Sequence, residues 1–155
     1  MRQGTLVARS SSLGMSKRSR RPQRGAKSAQ IILVVETDVL VRVTVAEYIR
    51  ECGYKVYEAV SAAEALEVLR AGHKVDVVLS DVRLGDAAMD GFALAQQIRQ
   101  EFSSVETILT SGLVMTVQKA GELCDQASLE KPYHHEQLLS RLSILFQKRE
   151  RSRTT

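Results

Sequence analysis

The sequence lacks any long hydrophobic run. No apolar stretch approaches the roughly 20 residues that a membrane-spanning helix needs, so a membrane protein is not predicted. Cysteine is also scarce, because Cys52 and Cys124 are the two in the chain and their spacing matches no metal-binding motif. We interpret both as small core residues in a reducing compartment, which makes a cytoplasmic location the expectation.

Acidic residues are absent from the first 30 positions, which hold eight Lys and Arg residues. This composition has no apolar period and predicts a disordered basic tail over residues 1–28. An organelle transit peptide, or a nucleic-acid-binding or nuclear-localisation patch at Lys17–Arg24, would have the same basic, acid-free composition. We favour a solvated tail, since blocks of like charge are usually disordered. Met15 is an alternative start, and residues 148–155 are predicted as a second basic tail.

The segment between the tails has the opposite charge. Residues 31–146 contain 10 basic and 17 acidic residues, although the whole chain carries +4. Nucleic acid is therefore not the expected partner, because the acidic body would repel phosphates and the basic tails lack interleaved aromatic residues.

Short apolar runs alternate with amphipathic segments through this acidic part. The predicted strands are Ile31–Val35, Lys55–Ala59, Val75–Asp81, Thr107–Thr110 and Ala127–Glu130. The predicted helices are Val39–Cys52, a segment from the capping-box pattern at Ser61–Glu64 to Gly72, Gly91–Phe102, Val114–Leu123 and a last one around Leu138–Phe146. This alternation predicts an α/β fold, namely a flavodoxin-like, doubly wound, five-stranded parallel sheet of order 2-1-3-4-5 with five helices.

The first predicted helix has a mixed pattern. Its density of β-branched residues would suit a strand, but its apolar residues recur at helical spacing. The predicted core-facing residues are Val41, Val45, Tyr48, Ile49 and Cys52, with Arg42 on another face.

Acidic residues gather where the first and third predicted strands end. Glu36 and Asp38 follow the first strand, and Asp81 ends the third. In the order 2-1-3-4-5 these two strands flank the switch point, outside whose carboxyl ends open α/β sheets bind ligands. The acids are therefore predicted to converge in one crevice, although Asp81 alone would more simply open a loop.

Five short motifs stand in order along the chain. They are Glu36 in VVETD, Asp81 in LSDVRL, Asp90-Gly91 before the third helix, Thr110-Ser111-Gly112 after the fourth strand and Lys131-Pro132 after the fifth. Each is weak alone, but together, at the strand ends of this topology, they are specific. Over roughly residues 29–147 the chain resembles the receiver domain of two-component response regulators.

The resemblance implies that Asp81 accepts a phosphoryl group from a histidine kinase or phosphotransferase. It also implies a Mg²⁺ ion held by Asp81, Glu36 and the backbone carbonyl of Arg83, with Asp38 as a further candidate ligand. Oxygen ligands of this kind suit Mg²⁺. The implied protein is a signalling module and not an enzyme.

The resemblance also assigns the residues that would bind the phosphoryl group. Lys131 would pair with its oxygens, Thr110 would hydrogen-bond them, and Ser111 would leave room beside the acceptor. A cis bond is expected before Pro132. Inward movement of Thr110 would repack the face of the fourth helix, fifth strand and fifth helix, which would contact an unidentified downstream protein or a second copy in a homodimer.

Some positions depart from the family pattern. Thr37 stands where a second acid is usual, so weak Mg²⁺ binding is expected. Ser128 stands where an aromatic switch residue is common, and the loop Gly85–Asp90 lacks the usual proline. A pseudo-receiver that binds partners without phosphorylation is therefore the alternative function.

The favoured function is a stand-alone receiver, because the residues after 147 are too few for an output domain. A phosphatase with an aspartate nucleophile is disfavoured, since enzymes resembling haloacid dehalogenases need a second Asp two residues after the first. Arg83 occupies that position.

Overall fold

The computed structural model describes residues 29–85, 88–111 and 129–154, which contain a five-stranded parallel sheet in the predicted order β2-β1-β3-β4-β5. The strands are β1 (Ile31–Val35), β2 (Lys55–Ala59), β3 (Val77–Asp81), β4 (Glu106–Ser111) and β5 (Leu129–Glu130). The helices within these ranges are α1 (Val39–Glu51), α2 (Ala62–Arg70), α3 (Gly91–Glu101) and α4 (His135–Thr154). The predicted helix Val114–Leu123 lies outside the described residues, so the last helix, predicted as the fifth, is α4 here.

The sheet has an apolar core on each face. Because strand side chains alternate between faces, the unbroken apolar run of β1 serves both cores. One core contains Ile32, Val34, Val45, Ile49, Leu138 and Leu142, and thus joins β1 to α1 and α4. The other contains Leu33, Val35, Leu66, Leu94 and Ile98, and joins β1 to α2 and α3. Burial of each such side chain contributes roughly 1.5–3 kcal/mol.

Three helices begin at residues that cap them, namely Asp38 for α1, Ser61 for α2 and Asp90 for α3. Asp38 Oδ1 accepts the backbone N–H groups of Leu40 and Val41 at the start of α1. Asp90 Oδ1 accepts from Ala93 at the start of α3. Such caps satisfy amides that have no partner within the helix and stabilise it by about 1 kcal/mol each.

The predicted capping box at the start of α2 is present in a modified form. Ser61 Oγ accepts the N–H of Glu64 at 3.2 Å, as the pattern requires. The Glu64 carboxylate accepts the N–H of Val60 at 2.7 Å, one residue before the position of an ordinary capping box.

The predicted buried face of α1 was partly wrong. Its buried residues are Arg42, Val45, Ala46 and Ile49, a stripe at the spacing i, i+3, i+4, i+7. Val41 is 39% exposed and Cys52 is also exposed, so neither belongs to the core. The buried stripe includes Arg42, whose guanidinium has polar partners in the Glu36 carbonyl and the Glu58 carboxylate. Cys124 lies outside the described residues.

Helix α4 continues through residues predicted as a basic tail and ends at Thr154. Arg149 Nη1 donates to the main-chain carbonyl of Asp76 at 2.6 Å, and Nη2 lies 3.5 Å from Asp76 Oδ1. Phe146 stacks on Tyr54 with ring centroids 5.7 Å apart. These contacts fix the end of α4 against the sheet. In the described part of the chain, no helix is long and apolar enough to cross a membrane.

Candidate functional site

Lys131 joins the two acids that the sequence places at neighbouring strand ends. Its Nζ lies 3.0 Å from Glu36 Oε2 and 2.7 Å from Asp81 Oδ2. Glu36 follows β1, Asp81 ends β3, and Lys131 follows β5. The side chains are mostly buried: 10% of the Glu36 side chain is exposed, 15% of Asp81 and 28% of Lys131. The predicted crevice is therefore a cluster of two carboxylates around one ammonium.

Asp81 is held by the loop that follows it. Its Oδ1 accepts the N–H of Arg83 at 3.1 Å, while Oδ2 faces Lys131. The chain continues past Asp81 into that loop with the Val82 N–H bonded to Thr110 O at 3.0 Å. The Arg83 residue itself is exposed, so its main chain lies beside the site while its side chain faces away from the core.

The predicted phosphoryl-binding residues of β4 lie beside Asp81. Thr110 is the register partner of Asp81 and is 3% exposed. Its hydroxyl lies 3.5 Å from the carbonyl of Ser80, at the limit of a hydrogen bond. The Ser111 carbonyl accepts the N–H of Lys131 at 2.7 Å, which ties Lys131 to β4. The Lys131–Pro132 bond is cis, as expected.

Asp38 and Thr37 do not join this cluster. The Asp38 carboxylate caps α1, and its N–H donates to Glu36 Oε1 at 3.0 Å. Thr37 is exposed and its side chain lies over the loop at Gly85, where an added Cβ would meet Thr37 Cγ2 at 3.5 Å. Gly85 itself has φ +64, a conformation that favours glycine.

Charge and burial act together at Lys131. Burial lowers the pKa of its ammonium, but hydrogen bonds to Asp81 and Glu36 outweigh burial, and the pKa of Lys131 is raised. Burial also raises the pKa of the neighbouring Tyr133, against an opposing effect of Lys131. Lys131 is therefore fully charged at neutral pH and offsets one of the two carboxylates.

The donor set fits a hard divalent cation. Glu36 and Asp81 each place a carboxylate oxygen within 3.0 Å of the same nitrogen, so two acidic side chains line one site. Mg²⁺ commonly binds one or two carboxylates and fills its other positions with waters, carbonyls or phosphate oxygens. Among the described residues, no group of three or more His, Cys, Asp or Glu side chains is placed to hold a metal. The described residues thus supply two carboxylate side chains as ligands for a divalent cation.

The sequence pattern gave Arg42 no role, yet it contacts this site. It is 9% exposed, and its Nη1 donates to the main-chain carbonyl of Glu36 at 2.9 Å. Its spacing of three and seven residues from Val45 and Ile49 was the available signal, because that spacing places all three on one helix face.

A family model for the response regulator receiver domain matches residues 32–143. The chain belongs to the response regulator receiver domain family. Receiver domains are signalling modules of two-component systems that interact with histidine kinases or phosphotransferases. The five sequence motifs and the observed strand order agree with this assignment.

Two curated relatives match about three quarters of the chain. The chain is 30% identical over 122 residues to the sensor kinase CckA of Brucella abortus. The matched region covers 77% of this chain and 13% of CckA. It is 30% identical over 118 residues to the transcriptional regulatory protein PdtaR of Mycobacterium tuberculosis. That matched region covers 73% of this chain and 55% of PdtaR. The chain therefore spans about half of PdtaR and a small part of CckA.

Solved receiver structures match over most of their length. A receiver protein from Sinorhizobium medicae has a TM-score of 0.70 at 25% identity and covers 77% of this chain and 96% of its own. The receiver of an HD domain-containing protein from Pseudomonas fluorescens has a TM-score of 0.70 at 26% identity, covering 79% and 98%. TrrA from Thermotoga maritima, solved with Mg²⁺ and BeF, shares the fold with a TM-score of 0.67 at 23% identity, covering 75% and 98%.

Proposed function

We propose that this receiver domain is a phosphoacceptor of a two-component phosphorelay and that Asp81 is the residue phosphorylated. The observation that carries the proposal is the Lys131 ammonium between Asp81 and Glu36, 2.7 and 3.0 Å from their oxygens. A carboxylate that attacks a phosphoryl group needs nearby positive charge to offset their mutual repulsion. Lys131 supplies one such charge directly beside the acceptor.

The transfer is a displacement at phosphorus. An Asp81 carboxylate oxygen forms the new O–P bond while the P–N bond of a phosphohistidine on the donor breaks. The electron pair of the broken bond stays on the imidazole nitrogen of the donor. Lys131 then pairs with a phosphoryl oxygen as a point charge, and the Thr110 hydroxyl, on the strand beside Asp81, donates to another.

Two carboxylates and one main-chain carbonyl near Asp81 are the groups that would hold a divalent cation. Glu36, Asp81 and the main-chain carbonyl of Arg83 would hold Mg²⁺, which neutralises negative charge on the phosphoryl oxygens when bound. Asp38 is not proposed as a ligand, because its Oδ1 already accepts two amides of α1. With Thr37 neutral, we expect the affinity for Mg²⁺ to be modest.

The phosphorylated protein would signal through protein contacts. A phosphoryl group adds about −1.5 to −2 charges at pH 7 and would draw Thr110 and Lys131 towards it. The proposed contact surface is the face formed by the helix predicted at Val114–Leu123, by β5 and by α4. A downstream protein or a second copy of the chain would bind there. A domain start at residue 29 and a cytoplasmic location belong to the same proposal, and the domain end predicted at residue 147 is moved towards Thr154 by the contact of Arg149 with Asp76.

The pseudo-receiver is the second candidate, and the capping role of Asp38 favours it. With Thr37 neutral and Asp38 committed to α1, the crevice has fewer carboxylates for a metal than the family pattern provides. In that case the fold would bind partners without chemistry at Asp81.

One experiment separates the two candidates. The full chain is incubated with acetyl phosphate, with Mg²⁺ or with EDTA, and the rate of phosphorylation is measured. We expect Mg²⁺-dependent phosphorylation, slowed at least about tenfold in Glu36→Gln by loss of a metal ligand. Glu67→Gln, an exposed acid on α2, is the matched control and should react like wild type. No phosphorylation at any Mg²⁺ concentration would reject the proposal and favour the pseudo-receiver.

A further inference from the structure

The two charged residues that are buried in the described part of the chain, Glu36 and Arg42, contact each other. The contact is made by the main chain of Glu36, since Arg42 Nη1 donates to its carbonyl oxygen at 2.9 Å. The guanidinium therefore leaves the Glu36 carboxylate free for Lys131 and the amide of Asp38. Burying an arginine costs free energy unless it is paired, so its partners indicate what holds it there.

The side-chain partner of Arg42 lies on β2. Arg42 Nε lies 3.4 Å from the Glu58 carboxylate, which also binds Arg50 at 2.8 Å. Arg50 is held in turn by Glu47 at 2.6 Å and by the carbonyl of Val56 at 3.3 Å. This chain of ion pairs holds the Nε end of the Arg42 guanidinium, while Nη1 bonds to the Glu36 carbonyl.

Every polar group of Glu36 consequently has a partner. Its N–H donates to the Ala59 carbonyl at 3.1 Å, and its carbonyl accepts from Arg42. Its two carboxylate oxygens accept from Asp38 N–H and from Lys131. Arg42 is the partner that fixes the peptide leaving Glu36, and hence the turn that brings Asp38 N–H to the carboxylate.

We propose that Arg42 is a positioning residue that presets Glu36, through its main-chain carbonyl, for binding a divalent cation together with Asp81. This inference rests on the proposed function, because it assigns a role to Arg42 in the same site. Groups that orient a metal ligand commonly change metal affinity about 10- to 100-fold when they are removed.

The charge of Arg42 would act in the opposite direction to this positioning. A positive charge near a cation site weakens cation binding, although Glu58 offsets it here. Loss of the guanidinium therefore has two effects of opposite sign on Mg²⁺ affinity. Positioning predicts weaker binding in Arg42→Met, and charge alone predicts tighter binding, so the direction of the change distinguishes them.

The test measures Mg²⁺ affinity by calorimetric titration of the full chain and of Arg42→Met. We expect about tenfold weaker binding in the variant. Arg70→Met is the matched control, because it removes an arginine paired with Glu101 on the surface, between α2 and α3. Its affinity should equal that of wild type. Unchanged or tighter binding by folded Arg42→Met would overturn the proposal.

A second measurement requires no metal. In metal-free protein, the exchange of the Asp38 amide with solvent reports its bond to Glu36 Oε1. We expect at least about tenfold faster exchange in Arg42→Met, with no change in Arg70→Met. Equal exchange in wild type and Arg42→Met would contradict the positioning role. If Arg42→Met does not fold, Arg42→Lys decides both measurements, since it keeps the charge and loses the forked geometry.

The outcomes also separate this inference from the proposed function. A wild-type protein that binds no Mg²⁺ would overturn the cation step of the proposed function. The exchange of the Asp38 amide would then still decide whether Arg42 holds Glu36. Wild-type binding that Arg42→Met leaves unchanged would overturn the inference about Arg42 alone.

Discussion

Gly91 lies directly against the carbonyl oxygen of Asp81. A Cβ added at position 91 would collide with that oxygen and would lie 2.8 Å from the Cα of Val82. The N–H of Gly91 donates to the Val82 carbonyl at 2.8 Å, so the start of α3 is fixed to the backbone beside the proposed acceptor. Glycine is required here because the two backbones are in contact.

Gly91→Ala should disturb both the fold and the site. The added methyl group has to displace main chain at Asp81, which should lower the free energy of unfolding by about 1–3 kcal/mol. Chemical denaturation measures that loss, and the phosphorylation rate should fall as well because the main chain at Asp81 moves. Gly53→Ala is the control: its φ is +95 and nothing lies within 4 Å of the added Cβ, so it should lose stability without slower phosphorylation.

The raised pKa of Lys131 predicts how stability depends on pH. Its cause is the pair of hydrogen bonds to Asp81 and Glu36, acting against burial of the ammonium. A group whose pKa is raised by folding stabilises the fold below its unfolded pKa, about 10.4 for lysine. This contribution is lost as the pH rises through the higher folded pKa.

Lys131→Met tests this dependence. The comparison is made in a Tyr133→Phe background, because burial also raises the pKa of Tyr133 and Lys131 affects it. At pH 7 the Lys131→Met variant should be less stable by about 1–2 kcal/mol, a value reduced for partial exposure. The difference should be constant up to about pH 10 and shrink above it. A difference that persists unchanged to pH 12 would contradict the assigned hydrogen bonds.

Thr37→Asp should strengthen cation binding. It adds a carboxylate next to Glu36, and a unit charge at about 4 Å interacts with another by several times RT even near a protein surface. We expect Mg²⁺ affinity to rise at least about tenfold and phosphorylation at low Mg²⁺ to speed up. Metal-free stability should fall slightly, because the added charge repels Glu36 and Asp81.

Titration of Thr37→Asp and Thr37→Asn with Mg²⁺ makes this comparison, since Asn has the same shape without the charge. Equal affinities in wild type and Thr37→Asp would show that the missing acid does not limit binding. If neither the wild type nor Thr37→Asp binds Mg²⁺, the pseudo-receiver is favoured.

Arg149→Ala should loosen the end of α4. The side chain donates to the main chain of Asp76, whose Oδ2 in turn accepts the N–H of Ile31 at 2.9 Å. Loss of this partly exposed contact should cost about 1 kcal/mol in urea unfolding. Arg153→Ala, an exposed arginine of the same helix, should cost less than half as much. Equal losses would show that the contact with Asp76 does not stabilise the fold.

Much of this architecture follows from local sequence. The bounds of β1 and β2 match the prediction because each short run is flanked by residues that end a strand. The convergence of Glu36 and Asp81 followed from strand order, since the carboxyl ends of parallel strands share one edge, and the place of Lys131 beside them followed from the family resemblance. These are properties that pattern and topology can determine.

The contacts that local sequence did not reveal are long-range or depend on the pairing of charges. Arg42 was predicted away from the core because the buried face was taken from the spacing of the apolar residues, and its guanidinium pairs with Glu58 of β2. The end of α4 was predicted as a tail because basic runs are usually disordered, yet Arg149 meets Asp76, 73 positions earlier. Asp38 is a local exception: it was a candidate ligand, although an Asp that directly precedes a helix commonly caps it, which is the role it has in the structure.

The central claim is that Asp81 is phosphorylated, and intact mass after treatment with phosphoramidate and Mg²⁺ tests it most directly. The wild-type chain should gain the mass of one phosphoryl group, and Asp81→Asn should gain none. Asp76→Asn is a matched control, because Asp76 lies just before β3, at its opposite end, and should still allow the gain. The same gain of mass in Asp81→Asn, or no gain in wild type, would contradict the account.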